Sequence, residues 1–431
     1  MSTLLEADLA WTGSSFEPNV QIAIDANGRI ESAGALGRPG ATRLAGVALL
    51  PGFIDTHSHA FQRGLRGRGE EFPAGAGSFW TWREAMYALV NSLDRAALGR
   101  ISARAFAEMR DAGITTVGEF HYLHHDREGD FALDEAILQA AADAGIRLVL
   151  LYCFYATGAP GRPLDPGQRR FATPSVDEFW HQVDRLAIRL DPATQTLGVA
   201  PHSVRAASPG DIGRIHREAT RRGLPVHLHV EEQRREIEES IAAYGCTPMR
   251  TILQAVDGGA FTAVHCTHTT DEDMAAFLAV GGTVCLCPLT EGNLGDGIPA
   301  ALSRAHAAGG RLAIGTDSNN RLAMLEEMRW LEYAQRLRGE LRGALPNPMG
   351  DVAPTLLAAA TTGGAGALNV PAGTIAPGQW GDLVAVNLRA PSLAEVPPDR
   401  LLAALIFGSG NDAIAGTYVG GRWRPTGGSG R

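Results

Sequence analysis

Hydrophobic positions in the middle of the chain follow two alternating patterns. Eight short, almost continuously apolar runs, each followed by a polar turn, predict buried β-strands at residues 49–59, 115–122, 147–155, 197–204, 225–232, 263–268, 283–289 and 312–318. Amphipathic stretches with helical spacing lie between them, among them residues 94–112, 132–144, 209–222, 232–244 and 271–280. Eight strand–helix units predict an α/β fold in which residues 51–370 form a (β/α)8 TIM-like barrel.

The two ends of the chain show a different pattern, with short strands separated by Gly and Pro turns. Alternating residues flank Asn27 and Gly28, a pair that is typical of a tight β-hairpin. We expect residues 1–50 and 371–431 to meet as one small β-sandwich domain beside the barrel. The Gly/Ser-rich tail, residues 426–431, is expected to lack regular structure.

The composition narrows the class of partner. The formal net charge of −9 disfavours nucleic acid or an anionic membrane as the main partner. The sequence lacks both the run of about 18 apolar residues that a membrane-spanning helix needs and the basic start of a secretory signal. Five cysteines without framework spacing fit reduced thiols in a cytoplasm. We therefore expect a cytoplasmic protein with neither a nucleic acid nor a membrane as its partner.

The sequence contains no lysine. Chemistry that depends on a lysine side chain is thereby excluded: a Schiff base, a pyridoxal-phosphate linkage, a P-loop phosphate contact or a lysine-derived bridge between metal ions. A GC-rich genome would produce the same bias, and the exclusions hold whatever its origin.

Histidine and carboxylate side chains are concentrated where the predicted strands end. His57 and His59 close the first strand and, being two residues apart, share one of its faces. His229 lies near the end of the fifth strand, His265 in the sixth and Asp317 in the eighth. Barrel enzymes build their active sites at the carboxyl ends of the strands, and imidazoles with a carboxylate suit a borderline ion such as zinc. The pattern therefore indicates a metal-dependent enzyme.

Each of these features has a second interpretation. A His-x-His pair is often a surface or structural feature, and an aspartate after a strand is often a helix N-cap. Four such features in order, each at a strand end, favour the metal site. We interpret the remaining candidates as structural or uninvolved: His227 as a packed core residue, His124 and His125 as loop residues, Cys285 and Cys287 as core, and His181, His216 and His306 as helix residues.

Longer runs carry a family resemblance. Leu50-Pro-Gly-Phe-Ile-Asp-Thr-His-Ser-His59 resembles the first barrel strand of the amidohydrolase superfamily, and Gly373-Thr-Ile-Ala-Pro-Gly-Gln-Trp-Gly-Asp-Leu-Val384 resembles its return into a β-sandwich. Other runs resemble one family within it, the formimidoylglutamate deiminases of histidine degradation: His57-Ser-His-Ala-Phe-Gln-Arg63, Ser78-Phe-Trp-Thr-Trp-Arg83, Gly118-Glu-Phe-His-Tyr-Leu-His-His125, Gly167-Gln-Arg-Arg-Phe171, Thr290-Glu-Gly-Asn-Leu-Gly-Asp-Gly297 and Glu326-Glu-Met-Arg-Trp-Leu-Glu-Tyr333. The similarity covers essentially the whole chain.

The resemblance implies a role for each matching residue. It assigns metal binding to His57, His59, His229 and Asp317. It assigns substrate binding to Gln62, Arg83, Tyr122, His202 and Arg205. Glu232 matches the residue that shuttles protons, Asp317 would also accept a proton from the attacking water, and His265 matches the catalytic histidine, with nearby His268 as the competing assignment. Taken alone, an arginine is more often a surface charge, and Tyr122 has a second interpretation as a core tyrosine.

The resemblance also implies a reaction. The family hydrolyses N-formimidoyl-L-glutamate to N-formyl-L-glutamate and ammonia by metal-activated water. The cofactor would be one divalent ion, zinc or alternatively Fe²⁺. Binuclear relatives commonly bridge their two ions with a carboxylated lysine, and this sequence has no lysine. Guanidinium groups would bind the two carboxylates of this small-molecule substrate. The resemblance further implies a homodimer.

The chain departs from the family pattern at two positions, and two rival functions stay open. Asn319 stands where the family has histidine, and Gly292 stands where we expect alanine. The nearer rival is another deaminase of the superfamily that acts on a nucleobase or a guanidino compound, which should use aromatic stacking and amide contacts rather than two arginines. The more distant rival is a non-catalytic barrel, which the complete set of ligands disfavours.

Overall fold

The computed structural model describes residues 2–72, 75 and 77–427, so residues 428–431 of the tail that we expected to lack regular structure lie outside the described part. The strands are β1 Thr3–Trp11, β2 Phe16–Glu17, β3 Gln21–Ile24, β4 Ile30–Gly34, β5 Thr42–Pro51, β6 Phe53–Ser58, β7 Ile114–His121, β8 Arg147–Phe154, β9 Gln195–Pro201, β10 His227–Val230, β11 Thr262–His265, β12 Thr283–Leu286, β13 Arg311–Ile314, β14 Leu383–Asn387, β15 Ile414–Val419 and β16 Arg422–Pro425.

The helices alternate with the central strands. They are α1 Phe79–Ser92, α2 Arg95–Asp111, α3 Asp134–Ala144, α4 Val176–Ala187, α5 Pro209–Arg222, α6 Arg234–Tyr244, α7 Pro248–Ala255, α8 Asp271–Ala279, α9 Pro288–Leu294, α10 Leu302–Ala307, α11 Met324–Gly339, α12 Ala353–Ala358, α13 Gly364–Leu368 and α14 Leu401–Gly408. Several begin at a side chain that accepts a backbone N–H, as Asp94, Ser175 and Ser208 do. Within the described residues, none of these helices is long and apolar enough to cross a membrane.

The centre of the molecule consists of two four-stranded parallel sheets, β6-β7-β8-β9 and β10-β11-β12-β13. Parallel bridges join them at both seams, between Val199 and Val226 and between Ser58 and Asp317. Because the strands are parallel, their carboxyl ends lie on the same side. The parallel α/β architecture that the sequence predicts is confirmed. The eighth predicted strand, residues 312–318, runs too long: the regular strand ends at Ile314, and the backbone is left-handed at Asp317.

The strands at the two chain ends join one eight-stranded mixed sheet in the order β16-β15-β14-β5-β1-β3-β4, with β2 on β1. The predicted hairpin is confirmed, since β3 pairs antiparallel with β4 and Gly28 adopts a positive φ of 82°. Alternate residues of β14 pack into different hydrophobic clusters: Leu383 lies in a small cluster within this sheet, and Val384 lies in the large central core. The sheet is therefore apolar on both faces.

One predicted strand, residues 49–59, is wrong as a single element. The chain passes from β5 in the outer sheet to β6 in the central sheet at Gly52, whose N–H donates to the Asp382 carbonyl at 2.9 Å. A Cβ on Gly52 would lie 2.1 Å from Thr115 Oγ1. Glycine is therefore required where the two sheets approach each other.

A buried ion pair connects the outer sheet to the central strands. Arg147, at the start of β8, donates from Nε to Asp382 Oδ2 at 2.7 Å and from Nη2 to Asp382 Oδ1 at 3.1 Å. The guanidinium also lies 3.8 Å from the centre of the Trp380 ring. This bidentate contact fixes the outer sheet against the end of the central strands that is opposite the predicted site.

Candidate active site

Four potential metal ligands converge at the carboxyl ends of β6, β10 and β13. The donor atoms of His57, His59, His229 and Asp317 all lie within 4.8 Å of one another, and all four residues are buried. Asp317 Oδ1 lies 3.4 Å from His57 Nε2 and 3.3 Å from His59 Nε2. His59 Nε2 lies 3.4 Å from His229 Nε2. Three imidazole nitrogens and a carboxylate oxygen therefore lie close together, in an arrangement that could hold a divalent metal ion.

Contacts between β6 and the loop after β13 hold Asp317 at this point. Thr316 N donates to Asp55 Oδ1 at 3.0 Å, and Asp317 N donates to the His57 carbonyl at 2.9 Å. Although burial opposes it, the contacts with His57 and the other imidazoles hold the pKa of Asp317 below its usual range. Asp317 and His265 both have left-handed backbone, with φ of 50° and 75°. Such strained conformations persist where the surroundings enforce them, typically at functional sites.

The imidazole rings present the form that binds metal. His59 Nδ1 donates to the Phe120 carbonyl at 2.8 Å, and His229 Nδ1 donates to the His202 carbonyl at 3.1 Å. These bonds place the proton on Nδ1 and leave the Nε2 lone pair available. Burial lowers the pKa of His57 to about 3 and also lowers the pKa of His59 and His229, so the three rings are neutral. A divalent cation therefore fits this donor set.

Glu232 and His265 lie next to the four donors. His265 Nε2 is 3.8 Å from Asp317 Oδ2 and 3.9 Å from Glu232 Oε1. Arg205 Nη2 donates to Glu232 Oε2 at 3.1 Å. Although burial lowers it, the charge of Glu232 and the contacts with Glu291 and Asp317 raise the pKa of His265 to about 10. A carboxylate and an imidazole thus lie within reach of a group beside Asp317, as proton transfer requires.

The cluster opens into a cavity. All five residues expected to hold the substrate line it: Gln62, Arg83, Tyr122, His202 and Arg205. Aromatic rings form much of the remaining wall: Phe79, Trp82, Tyr87, Tyr155 and Phe171. Gln62 Nε2 donates to the Tyr122 hydroxyl at 2.8 Å, which gives that tyrosine a polar partner at the cavity. Two guanidinium groups in an otherwise aromatic cavity suit a small anionic molecule.

The two cavity arginines differ in their charge partners. Arg205 is buried and forms an ion pair with Glu232, a partner that the sequence did not indicate. Arg83 is half-buried and donates from Nε to the Tyr87 hydroxyl at 2.5 Å. In the described part of the chain, Arg83 has no carboxylate within ion-pair distance, so it offers the unpaired positive charge of the cavity.

Other histidines lie away from the donor cluster. His268, the competing assignment for the catalytic histidine, lines a separate cavity with Asp296, so the structure brings His265 rather than His268 to Asp317. His227 is buried and donates from Nε2 to the Ala367 carbonyl at 2.9 Å, as expected of a packed residue.

A second buried cluster has the spacing of a metal site but is already satisfied by protein groups. Asp134 Oδ1 lies 3.1 Å from His121 Nε2 and 2.8 Å from His124 Nδ1. Asp134 Oδ2 accepts from the Tyr152 hydroxyl at 3.2 Å and from Arg185 Nη2 at 3.1 Å. Because both carboxylate oxygens have donors, we interpret this cluster as structural, in line with the expectation for His124.

Cys285, in β12, and Cys287, directly after that strand, are buried, as expected. Cys285 and Cys287 pack with Val264 and Ala313 in a small apolar cluster. Burial raises the pKa of the Cys287 thiol well above its ordinary value, so it is a neutral, poorly reactive group. Its sulfur nevertheless lies near the donor atoms of Asp317, a proximity that the strand pattern did not indicate.

Several residues around the site were missed by the sequence analysis. Asp55 accepts a hydrogen bond from Thr316 N, next to Asp317, and Glu291 contacts His265 Nδ1. Tyr87 and Tyr155 line the cavity. Asp55 and Glu291 lie within the sequence runs that resemble the family, so the resemblance could have indicated them. Their contacts join segments far apart in sequence, so no local pattern indicates them.

Asn319, where the family pattern has histidine, is buried and links two strand ends. Its Oδ1 accepts from Thr316 Oγ1 at 2.7 Å, and its Nδ2 donates to Ser58 Oγ at 3.0 Å. Asn319 therefore supports the loop that carries Asp317. Both polar atoms of its side chain have hydrogen-bond partners, although the family has histidine at this position.

Gly292, the other departure, lies in α9 at a position where a Cβ would meet no atom within 4 Å. Gly292→Ala is therefore expected to leave ammonia release unchanged and to raise the free energy of unfolding by roughly 0.5–1 kcal/mol, the difference between Ala and Gly in a helix. Urea unfolding of both proteins measures the change. A clear loss of stability would show that α9 requires glycine here.

Comparisons with known proteins identify the family of this chain. Residues 48–424 match the model of the Amidohydrolase family. The chain belongs to this family, and the resemblance found in its sequence is confirmed. It is 40% identical to the formimidoylglutamate deiminase of Pseudomonas aeruginosa over 429 residues, which cover 97% of this chain and 93% of that protein. It is 30% identical to the 5-methylthioadenosine/S-adenosylhomocysteine deaminase of Moorella thermoacetica, over 87% of this chain and 81% of that protein.

Solved structures show the same fold. A crystal structure of an amidohydrolase from Brucella melitensis aligns with a TM-score of 0.90 and 34% identity, covering 100% of this chain and 96% of that chain. An adenosine deaminase from Xanthomonas campestris with bound zinc aligns with a TM-score of 0.83 and 24% identity, covering 98% of this chain and 92% of that chain. The second similarity is evidence for the fold alone.

Proposed function

We propose that the protein hydrolyses N-formimidoyl-L-glutamate to N-formyl-L-glutamate and ammonia, a step of histidine degradation. One observation carries the proposal: a single cavity combines a metal-type donor cluster, an adjacent Glu232 and the unpaired guanidinium of Arg83. The substrate has the matching features, an amidine-like carbon to be attacked by water and carboxylates to be bound. The 40% identity to a formimidoylglutamate deiminase supports the same assignment.

We propose the following domain organisation. Residues 51–370 form one closed (β/α)8 barrel, and residues 1–50 and 371–431 form a β-sandwich domain. The bridges at both seams of the central sheets support closure of the barrel. The separate hydrophobic cluster around Leu5, Ile22 and Leu383 supports a second domain.

The proposed cofactor is one divalent ion, zinc or alternatively Fe²⁺, held by His57, His59, His229 and Asp317. When bound, the ion acts as a Lewis acid that lowers the pKa of a coordinated water. Elemental analysis of the active protein is expected to find about one divalent ion per chain. Treatment with a chelator should abolish ammonia release, and added zinc should restore it. Two ions per active chain would contradict a mononuclear site.

The residues around the cluster have complementary roles in the proposed mechanism. Asp317 accepts a proton from the attacking water as the water oxygen bonds to the formimidoyl carbon. His265 holds that oxygen through Nε2 in the tetrahedral intermediate. Glu232 donates a proton to the imino nitrogen as the water adds, so the intermediate carries an NH2 group. Asp317 then passes its proton to this nitrogen, the C–N bond breaks to release ammonia, and the remaining hydroxyl proton goes to Glu232 as the carbonyl forms. Water supplies the carbonyl oxygen of the product.

The rest of the cavity orients the substrate. Arg83 binds one carboxylate through its planar fork, and Arg205 lies where it contacts both Glu232 and the substrate. Gln62, Tyr122 and His202 supply the remaining polar contacts. The aromatic walls exclude water, which strengthens the charge–charge contacts inside.

An ammonia-release panel tests the proposal against its nearest rival. The aromatic lining is the observation that would favour a nucleobase substrate, while two cavity arginines favour a dicarboxylate. The panel compares N-formimidoyl-L-glutamate with 5-methylthioadenosine, guanine and a guanidino compound. We expect the highest kcat/KM for N-formimidoyl-L-glutamate, and a higher value for a nucleobase substrate would overturn the assignment.

We also propose that the protein acts in the cytoplasm as a homodimer and has neither nucleic acid nor membrane among its partners. The net charge of −9 supports the exclusion of anionic polymers and surfaces. Light scattering on the purified protein measures the oligomeric state directly.

A further inference from the structure

A buried carboxylate from a neighbouring helix contacts His265. Glu291 lies in α9, directly after β12, and is only 5% exposed. Its Oε1 accepts a hydrogen bond from Cys287 N at 3.0 Å and lies 3.3 Å from His265 Nδ1. One carboxylate oxygen thus connects the start of the helix with the imidazole ring.

The contact determines which nitrogen of His265 faces the cavity. Since Glu291 is the acceptor, Nδ1 carries a proton and donates to it. Nε2 has no hydrogen-bond partner in the described part of the chain and lies within 4 Å of both Asp317 and Glu232. The ring therefore has one nitrogen committed to the protein and one nitrogen free to act on a substrate.

Packing alone does not enforce this orientation. His265 stacks on His229 with an interplanar angle of 20° and a centroid distance of 5.7 Å. A rotation of 180° about the last side-chain torsion would preserve that stacking and exchange Nε2 for a carbon. The hydrogen bond to Glu291 distinguishes the two orientations, because a carbon in place of Nδ1 cannot donate to the carboxylate.

We infer that Glu291 is a positioning residue, which orients His265 so that Nε2 faces the reacting group between Asp317 and Glu232. This inference rests on the proposed function, in which His265 is catalytic. The run from Thr290 to Gly297, for which the sequence indicated no role, thus contains a residue that orients His265.

The competing explanation is that Glu291 only stabilises the start of α9. Glu327 provides the matched control, because it is also buried and its Oε2 accepts from Leu289 N of the same helix at 2.9 Å. No contact between Glu327 and His265 is present. Glu327→Leu therefore tests loss of a buried carboxylate and of its hydrogen bond to the start of α9 without loss of the contact to the ring.

A double-mutant cycle tests the inference by kinetics of ammonia release. Glu291→Leu is expected to lower kcat about 10–100-fold with KM and metal content near those of the wild type, the usual effect of removing a group that orients an active-site histidine. Glu291→Gln should recover most of the rate, because its amide oxygen still accepts both hydrogen bonds. The double variant Glu291→Leu/His265→Ala should be no slower than His265→Ala. Additive losses, or an equal loss in Glu327→Leu, would overturn the inference.

A second measurement does not depend on the reaction. In the metal-loaded protein with ¹⁵N-labelled histidine, the Nδ1–H signal of His265 is identified by its absence in His265→Ala. We expect Glu291→Leu to shift or abolish this signal and Glu327→Leu to preserve it. An unchanged signal in Glu291→Leu would refute the positioning role, whereas a wild-type protein without ammonia release would refute the proposed function alone.

Discussion

Glu232→Gln is expected to lower kcat for N-formimidoyl-L-glutamate by about 10²–10⁴-fold, the usual contribution of a side chain placed for proton transfer. The amide keeps the size of the carboxylate and still accepts the hydrogen bond from Arg205, but it cannot transfer a proton. Metal content should stay near that of the wild type, since Glu232 is outside the four-donor cluster. Steady-state ammonia release and elemental analysis on the same preparation measure both quantities.

Glu231→Gln is the matched control for this variant. Glu231 is the preceding residue and is equally buried, but its Oε1 accepts from Met249 N at 3.0 Å, and Glu231 does not line the active-site cavity. Its replacement should therefore leave kcat within a few-fold of the wild type. Near-normal turnover in metal-loaded Glu232→Gln would remove Glu232 from the mechanism.

Arg83→Gln is expected to lower kcat/KM for N-formimidoyl-L-glutamate by roughly 30-fold or more. Loss of one partner of a charge pair at a binding site costs about 2–5 kcal/mol, and the lower end applies because Arg83 is half-exposed before substrate binds. A formimidoyl amine without carboxylates should be hydrolysed at nearly the wild-type rate by this variant. Arg83→Lys should recover only part of the loss, because an ammonium cannot reproduce the planar fork.

Arg205→Gln provides the internal comparison. Because Arg205 is hydrogen-bonded to Glu232, its loss should slow both the dicarboxylate and the carboxylate-free substrate. The ratio of kcat/KM for the two substrates therefore separates the arginines. If Arg83→Gln leaves this ratio unchanged, Arg83 does not recognise a carboxylate.

The features predicted well from the sequence are those with a local or periodic signature. The alternation of strands and helices indicated the parallel α/β core, and Asn27 with Gly28 indicated the hairpin. The His57 and His59 pair indicated two donors on one strand face, and the structure places them together with His229 and Asp317. A position at a strand end was enough to predict that these donors lie together, because parallel strands bring their carboxyl ends to one side.

The features that were not predicted depend on contacts between distant segments. The break at Gly52 arises from the close approach of Thr115, which lies more than one helix away along the chain. The pairing of Arg205 with Glu232 and of Glu291 with His265 depends on how strand ends meet in space. Hydrophobic periodicity carries no information about such pairs, so the sequence indicated a substrate-binding role for Arg205 but not its pairing with Glu232.

The most direct test of the central claim is the identity of the products. Metal-loaded protein is incubated with N-formimidoyl-L-glutamate, and the mixture is followed by ¹³C NMR and an ammonia assay. N-formyl-L-glutamate and ammonia are expected in equal amounts, because the terminal nitrogen leaves as water adds to the formimidoyl carbon. Formation of glutamate and formamide instead, or no turnover with metal bound, would contradict the assignment of a deiminase.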